Sequence, residues 1–117
     1  MAPATRILIA DDDEDVRTYL EVTLSLAGYE TLEAGDGVEA LERARREGPD
    51  LVLLDVMMPR MDGLQALRRL REDARTAHLP VVLLTARGQI SDTVEGLDAG
   101  ADSYLTKPCD GEVLLAH

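Results

Sequence analysis

The sequence predicts an α/β fold, a doubly wound parallel sheet of five strands with helices on both faces. Short apolar runs typical of buried strands alternate with stretches whose apolar residues recur at helical spacing. Strands and helices in alternation form βαβ units with right-handed crossovers, so the strands join one parallel sheet. The 117 residues suffice for a single core, and we expect one domain over residues 1–117, with a polar lead at 1–5.

The first half of the chain predicts two βα units. Residues 7–10 are consecutive apolar residues typical of a buried strand, and the helix that follows ends at Gly28. Residues 29–33 are less apolar, which favours a strand at an edge of the sheet. A second helix follows the Gly35-Asp36-Gly37 turn. The apolar residues that mark the two helices are Val16, Leu20, Leu24 and Ala27, and then Val38, Leu41 and Ala44.

The second half of the chain predicts three further units. Residues 51–54 are apolar and run into Asp55, and Pro59 prevents this central strand from continuing. Asp62 can cap a third helix that begins near Gly63. The remaining predicted elements are strands at 81–84 and 103–106 and helices near 90–97 and 110–117, the last of which is short or truncated.

Charge and composition limit the possible partners. Lys and Arg number 12 against 23 Asp and Glu, which gives a formal net charge of −11 at pH 7. Such a field repels nucleic acid and anionic membranes, so we expect this chain alone to bind neither. The single cysteine, Cys109, excludes an internal disulfide and a multi-cysteine metal site. Because the sequence has neither a signal peptide nor an apolar stretch of bilayer length, we expect a cytoplasmic protein.

Acidic residues stand where two predicted strands end. Asp11 and Asp12 follow the first strand, and Asp55 ends the central one. The carboxyl ends of parallel strands lie at one edge of a sheet, so we expect the three carboxylates to converge there. Converging carboxylates repel one another unless a cation joins them. Carboxylates together with a backbone carbonyl and water suit Mg²⁺, so the sequence predicts an Mg²⁺ site in which Asp55 can act as a nucleophile toward phosphorus.

Two more polar residues end the other strands at the same edge. Thr85 follows the strand at 81–84, and Lys107 follows the strand at 103–106. The Lys107 ammonium could neutralise charge on a transferring phosphoryl group, and the Thr85 hydroxyl could donate a hydrogen bond to it. The predicted catalytic residues are therefore Asp55, Thr85 and Lys107.

Four short motifs occur in a fixed order along residues 6–108. They are Ile7-Leu8-Ile9-Ala10-Asp11-Asp12, then Leu54-Asp55-Val56-Met57-Met58-Pro59 with Met61-Asp62-Gly63, then Leu84-Thr85-Ala86, and finally Tyr104-Leu105-Thr106-Lys107-Pro108. In this order and spacing they resemble the motifs of a bacterial two-component response-regulator receiver domain, of the chemotaxis-regulator kind. The resemblance implies a flavodoxin-like (βα)5 fold.

The resemblance also implies a role for each acid. Asp55 would accept a phosphoryl group from a phosphohistidine on a histidine kinase or a histidine phosphotransfer protein. Asp12, Asp55 and the Met57 carbonyl would hold Mg²⁺, with Asp11 acting through water. The predicted metal set is thus Asp11, Asp12, Asp55 and Met57.

The same resemblance implies a signalling switch rather than a metabolic enzyme. Lys107 would bind the phosphoryl group, aimed by a cis peptide between Lys107 and Pro108, and Thr85 and Tyr104 would form the switch. An output domain beyond His117 is a further expectation.

Two other functions stay open at this point. An Mg²⁺-dependent phosphohydrolase would also use Asp55 covalently, but it would turn over a small phosphate ester steadily, whereas a switch would yield a stable, stoichiometric phosphoprotein. A haloacid-dehalogenase-like version of that enzyme is excluded because Met57 stands where it needs a second Asp. A phosphorylation-independent interaction module is the third possibility, which the complete set of site residues disfavours.

Overall fold

The computed structural model describes residues 5–85 and 100–106, with the side chains of residues 5–84 and 100–103. The predicted helices near 90–97 and 110–117 lie outside the described residues. The elements in chain order are β1 (Arg6–Ala10), α1 (Glu14–Leu26), β2 (Glu30–Ala34), α2 (Gly37–Glu47), β3 (Leu51–Asp55), α3 (Gly63–Glu72), β4 (Val81–Thr85) and β5 (Ser103–Thr106).

The five strands form one sheet in the order β2-β1-β3-β4-β5, and every neighbouring pair is parallel. Helices pack on both faces. Leu20 and Leu24 of α1 share a core cluster with Ile7 and Ile9 of β1, whereas α2 and α3 cover the opposite face of the sheet, where Leu8 and Ala10 lie. The predicted doubly wound five-stranded parallel sheet is confirmed.

The helix starts follow from side-chain caps that the sequence displays. Asp13, Asp36 and Asp62 precede α1, α2 and α3, and each accepts a hydrogen bond from a backbone N–H in the first turn of its helix. At α3 the cap is reciprocal, because the Gln65 side chain accepts from the Asp62 N–H. Among the described residues, no helix is long and apolar enough to cross a membrane.

The predicted edge strand at 29–33 is at the edge of the sheet but begins one residue later. Gly28 adopts a left-handed φ of 96°, and the Tyr29 N–H bonds back to the Leu24 carbonyl. This pattern is a glycine-based helix end, so Tyr29 still belongs to the cap of α1 and β2 begins at Glu30. Ala27, the last of the apolar residues that mark the first predicted helix, is the C-cap residue of α1 and is exposed.

We call the edge of the sheet where β1, β3 and β4 end the carboxyl edge, and the edge where they begin the amino edge. The register places acids from two strands together at the carboxyl edge. Ala10 of β1 pairs with Leu54 of β3, so the next residues, Asp11 and Asp55, emerge side by side. In turn Asp55 pairs with Leu84 of β4. The central strands therefore bring their terminal side chains to one place, as open parallel sheets do.

Candidate metal site at the carboxyl edge

Three carboxylates meet at the carboxyl edge. Asp11, Asp12 and Asp55 each offer one oxygen, and these oxygens all lie within 4.8 Å of one another. Asp11 is fully buried and Asp55 is 4% exposed, whereas Asp12 is exposed. The structure therefore brings together the three acids that the sequence placed at strand ends, two of them beneath the surface and one open to solvent.

Hydrogen bonds fix Asp11 in the turn between β1 and α1. Its N–H donates to the Ala34 carbonyl of the neighbouring strand at 3.0 Å. Its Oδ1 accepts from the Asp13 N–H at 2.9 Å. Because Asp13 in turn caps α1, the position of the buried carboxylate is tied to the start of the helix.

Arg17 of α1 also holds this turn, and the sequence interpretation did not include it. Its guanidinium donates to the Asp11 carbonyl at 2.7 Å and forms an ion pair with Glu33 of β2 at 3.3 Å. The available signal was a lone base two residues after the run of five acids at 11–15. Arg17 places a cation beside the acidic cluster and joins β1, α1 and β2.

Asp55 sits at the start of a tightly bonded loop. The Met57 N–H donates to Asp55 Oδ1 over 3.3 Å, the Val56 N–H bonds to the Leu84 carbonyl, and the Gly63 N–H bonds to the Val56 carbonyl. Met57 itself is 59% exposed. The predicted carbonyl ligand thus lies in this loop two residues after Asp55, and its role as a ligand stays a prediction.

Glycine is required at two points where this loop meets other backbone. A Cβ on Gly63 would overlap the carbonyl of Asp55, and a Cβ on Gly37 would overlap the carbonyl of Met61. Gly37 also donates its N–H to that same Met61 carbonyl at 3.0 Å. Close backbone packing therefore sets the path of the loop between β3 and α3 on both sides.

An ion pair adds to this packing. Arg60 adopts a left-handed φ of 65°, and its Nε and one terminal nitrogen donate to Asp36 Oδ2 at 3.0 and 2.8 Å. The other Asp36 oxygen accepts from the Glu39 N–H at 2.8 Å and caps α2. Burial acts to raise the pKa of Asp36, but the hydrogen bonds from Glu39 and Arg60 outweigh it and lower the pKa below its usual value.

The donor set suits Mg²⁺. In an octahedral site with metal–oxygen distances of about 2.1 Å, neighbouring ligand oxygens are roughly 3 Å apart and opposite ones roughly 4 Å apart. Carboxylate oxygens within 4.8 Å of one another approach this spacing. Hard anionic oxygens without nitrogen or sulfur partners favour Mg²⁺ or Ca²⁺ over softer metals, and Asp12 leaves one side of the cluster open to water.

Several predicted site residues fall wholly or partly outside the described residues. Lys107 and the Lys107–Pro108 peptide lie outside them. The backbone of Thr85 ends β4 at the carboxyl edge, next to Thr106 of β5, and Tyr104 pairs with Leu83. The predicted roles of Thr85, Tyr104 and Lys107 therefore stay predictions.

Comparison with known proteins points to one family. A family model described as the response regulator receiver domain matches residues 7–117. Over 112 residues the chain is 49% identical to the DNA-binding dual master transcriptional regulator RpaA of Synechocystis and 54% identical to the response regulator MprA of Mycobacterium leprae. These alignments cover 96% of this chain but only 46% and 48% of the relatives, so the chain spans about half the length of the curated relatives it matches.

A solved structure agrees with the sequence comparison. The chemotaxis protein CheY4 of Vibrio cholerae superimposes with a TM-score of 0.91 at 33% sequence identity. The superposition covers 97% of this chain and 95% of that protein. The similarity therefore extends over nearly the full length of both chains.

Proposed function

The chain belongs to the response regulator receiver domain family, and from this premise we propose that Asp55 accepts a phosphoryl group from a phosphohistidine. The donor would be a histidine kinase or a histidine phosphotransfer protein. Response regulators are signalling proteins, so the phosphorylated chain acts as a switch rather than as a metabolic enzyme. The observation that carries the proposal is the cluster of Asp11, Asp12 and Asp55 at the carboxyl edge, where β1 and β3 end.

The proposed step is a transfer between two nucleophiles. An oxygen of Asp55 attacks phosphorus, so that a new P–O bond forms while the P–N bond to the donor imidazole breaks. The imidazole leaves with the electron pair of that bond and takes up a proton. Asp55 is oriented for this attack by the Met57 N–H, which donates to its Oδ1, and its 4% exposure limits the access of water to the acyl phosphate.

Asp11, Asp12, Asp55 and the Met57 carbonyl are the residues that would hold Mg²⁺. When bound, the ion supplies positive charge that offsets the charge on the phosphoryl oxygens. Asp11, whose Oδ1 accepts from the Asp13 N–H, would act through water, as the likeness to the family implies. Asp12, being exposed, can adjust its carboxylate to the incoming group.

Three further residues complete the proposal by their likeness to the family motifs. The Lys107 ammonium would neutralise a phosphoryl oxygen and the Thr85 hydroxyl would donate to another. Tyr104 would respond to Thr85 from the adjacent strand, since it pairs with Leu83, two residues before Thr85. A pre-existing equilibrium between two arrangements of this pair would then shift on phosphorylation.

The output would lie in a longer protein. The Synechocystis relative is named a DNA-binding transcriptional regulator, and this chain matches 46% of its length. We infer that the switch acts on an output segment outside the present sequence. Reading the gene beyond His117 tests this inference directly.

Chemical phosphorylation tests the acceptor. We expect acetyl phosphate with Mg²⁺ to add one phosphoryl group to the parent chain, as measured by intact mass, and Asp55→Asn to abolish the addition. Asp50→Asn is the matched control, because Asp50 lies at the other end of β3 and accepts from the Arg6 N–H. Undiminished labelling of Asp55→Asn would contradict the assignment, and steady release of phosphate from small phosphate esters would favour the phosphohydrolase instead.

A further inference from the structure

The loop between β3 and α3, residues 56–62, is held by contacts to the start of α2 as well as by a hydrogen bond to β4. Val56 bonds to β4 at one end, and the Gly63 N–H closes the other end onto the Val56 carbonyl. Between these points the loop is fastened at Arg60 and Met61, both of which bond to the start of α2. Met57, the predicted carbonyl ligand, thus lies in a segment whose far side is fixed by another element.

Arg60 has a backbone conformation that its side chain disfavours. A non-glycine residue at a φ of 65° costs about 1 kcal/mol or more relative to the right-handed region. The two donations to Asp36 Oδ2 at 3.0 and 2.8 Å are charge-assisted bonds that offset this cost. The left-handed turn at Arg60 and the ion pair therefore occur together, and losing the pair removes what supports the turn.

Asp36 links this turn to helix α2. One of its oxygens caps the helix at the Glu39 N–H, and the other accepts from Arg60. The Asp36 side chain is only 14% exposed, although that of Arg60 is 61% exposed. The cap already orders the Asp36 side chain. The ion pair with Arg60 therefore costs little further conformational entropy at Asp36.

We propose that the Arg60–Asp36 ion pair is a positioning device for the metal site, which holds the loop so that Met57 and Asp55 present their oxygens together. The inference rests on the proposed function, because it assigns these residues to the Mg²⁺ site of the phosphorylated switch. Arg60 and Asp36 act through the loop backbone and are positioning residues. Like the outer-shell residues of other metal sites, the pair would orient the ligand residues without contacting the ion itself.

Two substitutions separate the ion pair from its side effects. Asp36→Asn removes the charge but keeps a good N-cap, so α2 retains its start. Arg60→Gly removes the guanidinium and also relieves the left-handed φ, because glycine adopts that conformation without strain. Arg69→Ala is the matched control for Arg60→Gly, since Arg69 is an exposed base on α3 and both substitutions remove one positive charge.

Magnesium titration of the whole chain by calorimetry is the first measurement. We expect Asp36→Asn and Arg60→Gly each to weaken Mg²⁺ binding roughly tenfold, the lower end of what loss of an outer-shell partner costs a metal site. Arg60→Lys keeps the charge but not the two-pronged geometry, so we expect an intermediate loss. Arg69→Ala should leave the dissociation constant within about twofold of the parent value, because a lone surface charge contributes little.

Amide hydrogen exchange without metal is the second measurement, and it tests whether the pair holds the loop against the start of α2 when no ion is bound. The Gly37 N–H bonds to the Met61 carbonyl, whereas the Glu39 N–H bonds to Asp36 itself. We expect Asp36→Asn to lower the protection of the Gly37 amide and to preserve that of the Glu39 amide. Arg60→Gly should do the same.

The outcomes distinguish the two levels of the proposal. If the parent binds Mg²⁺ and both variants bind it equally well, the positioning role is wrong while the proposed function stands. If Asp36→Asn weakens Mg²⁺ binding but Arg60→Gly keeps the parental affinity, strain at Arg60 and not the ion pair governs the loop, which also overturns the inference. If the parent itself binds no Mg²⁺, the metal site and the positioning role both fail.

Discussion

At the amino edge of the sheet Arg71 is surrounded by acceptors, whereas at the carboxyl edge three carboxylates face one another. The Arg71 guanidinium donates to the carbonyls of Ala77, Leu79 and Gly100 and to the Asp102 carboxylate. Asp102 in turn accepts from the N–H of Val81, the first residue of β4. At the other edge Asp11, Asp12 and Asp55 bring like charges within 4.8 Å.

The difference separates charges that stabilise the fold from charges that could hold a cation. A guanidinium whose hydrogen bonds are made within the protein ties α3, the connection to β4 and the turn before β5 into one unit. Clustered carboxylates do the opposite, because their repulsion favours the unfolded chain, in which Asp55 is far from Asp11 and Asp12. Close backbone packing at Gly63 and Gly37 holds the loop beside this cluster, and a bound cation would offset the repulsion.

The largest expected effect comes from the packing that holds the carboxyl edge. Gly63→Ala places a methyl group against the Asp55 carbonyl, which is backbone and cannot rotate away. We expect destabilisation by about 3 kcal/mol, the upper end of overpacking costs, together with loss of the Mg²⁺ response. Urea denaturation with and without Mg²⁺ measures both.

Gly35→Ala is the control for Gly63→Ala. Its added Cβ would lie 3.5 Å from an Arg17 nitrogen, an ordinary contact. We expect a change within about 0.5 kcal/mol. If the two alanine variants were equally stable, backbone packing would not be what holds the carboxyl edge.

The next effect concerns the charges at that edge. Mg²⁺ binds the assembled acids better than the dispersed ones, so it should stabilise the parent by about 2.7 kcal/mol at a hundredfold excess over its dissociation constant. Asp12→Ala relieves repulsion and removes a ligand, so we expect a higher melting temperature than the parent without metal and a much smaller gain with it. Thermal melts in Mg²⁺ and in chelator make the comparison, and a full Mg²⁺ response in Asp12→Ala would show that Asp12 is not a ligand.

The charge at the amino edge should behave in the opposite way. Arg71→Ala leaves three carbonyls and Asp102 without their guanidinium donor, and we expect a loss of about 2 kcal/mol in the free energy of unfolding. The dissociation constant for Mg²⁺ should not change, because Arg71 lies at the far edge. Calorimetric titration of the folded variant checks this, and a weakened Mg²⁺ affinity would mean that the two edges are coupled.

The smallest effect is a pH dependence at the amino edge. Hydrogen bonds from the Arg75 side chain and backbone, with the nearby charge of Arg45, hold the pKa of Asp73 well below its ordinary value of 3.8. A lowered carboxyl pKa stabilises the fold fully above the unfolded value, and this stabilisation is lost as pH falls below 3.8 toward the folded value. The difference in free energy of unfolding between the parent and Asp73→Asn should therefore shrink below that pH. A difference that grew on acidification would contradict the lowered pKa of Asp73.

Much of the fold could be predicted from the sequence because its signals are local. The alternation of apolar runs and helical spacing predicted the five parallel strands, and low apolar content predicted that β2 lies at an edge. Asp62 was predicted to cap α3, and it does. The convergence of Asp11, Asp12 and Asp55 also followed, since the ends of parallel strands share one edge.

Only the tertiary structure decided which side chains contact residues on other elements. Arg17 reaches the Asp11 carbonyl and Glu33, Arg60 reaches Asp36 across 24 positions of sequence, and Arg71 reaches Gly100 across 29. Periodicity and caps are set by residues within a few positions of one another. A side-chain partner on another element depends instead on the crossover and the register, and a shift of one residue turns a strand's side chains to the other face.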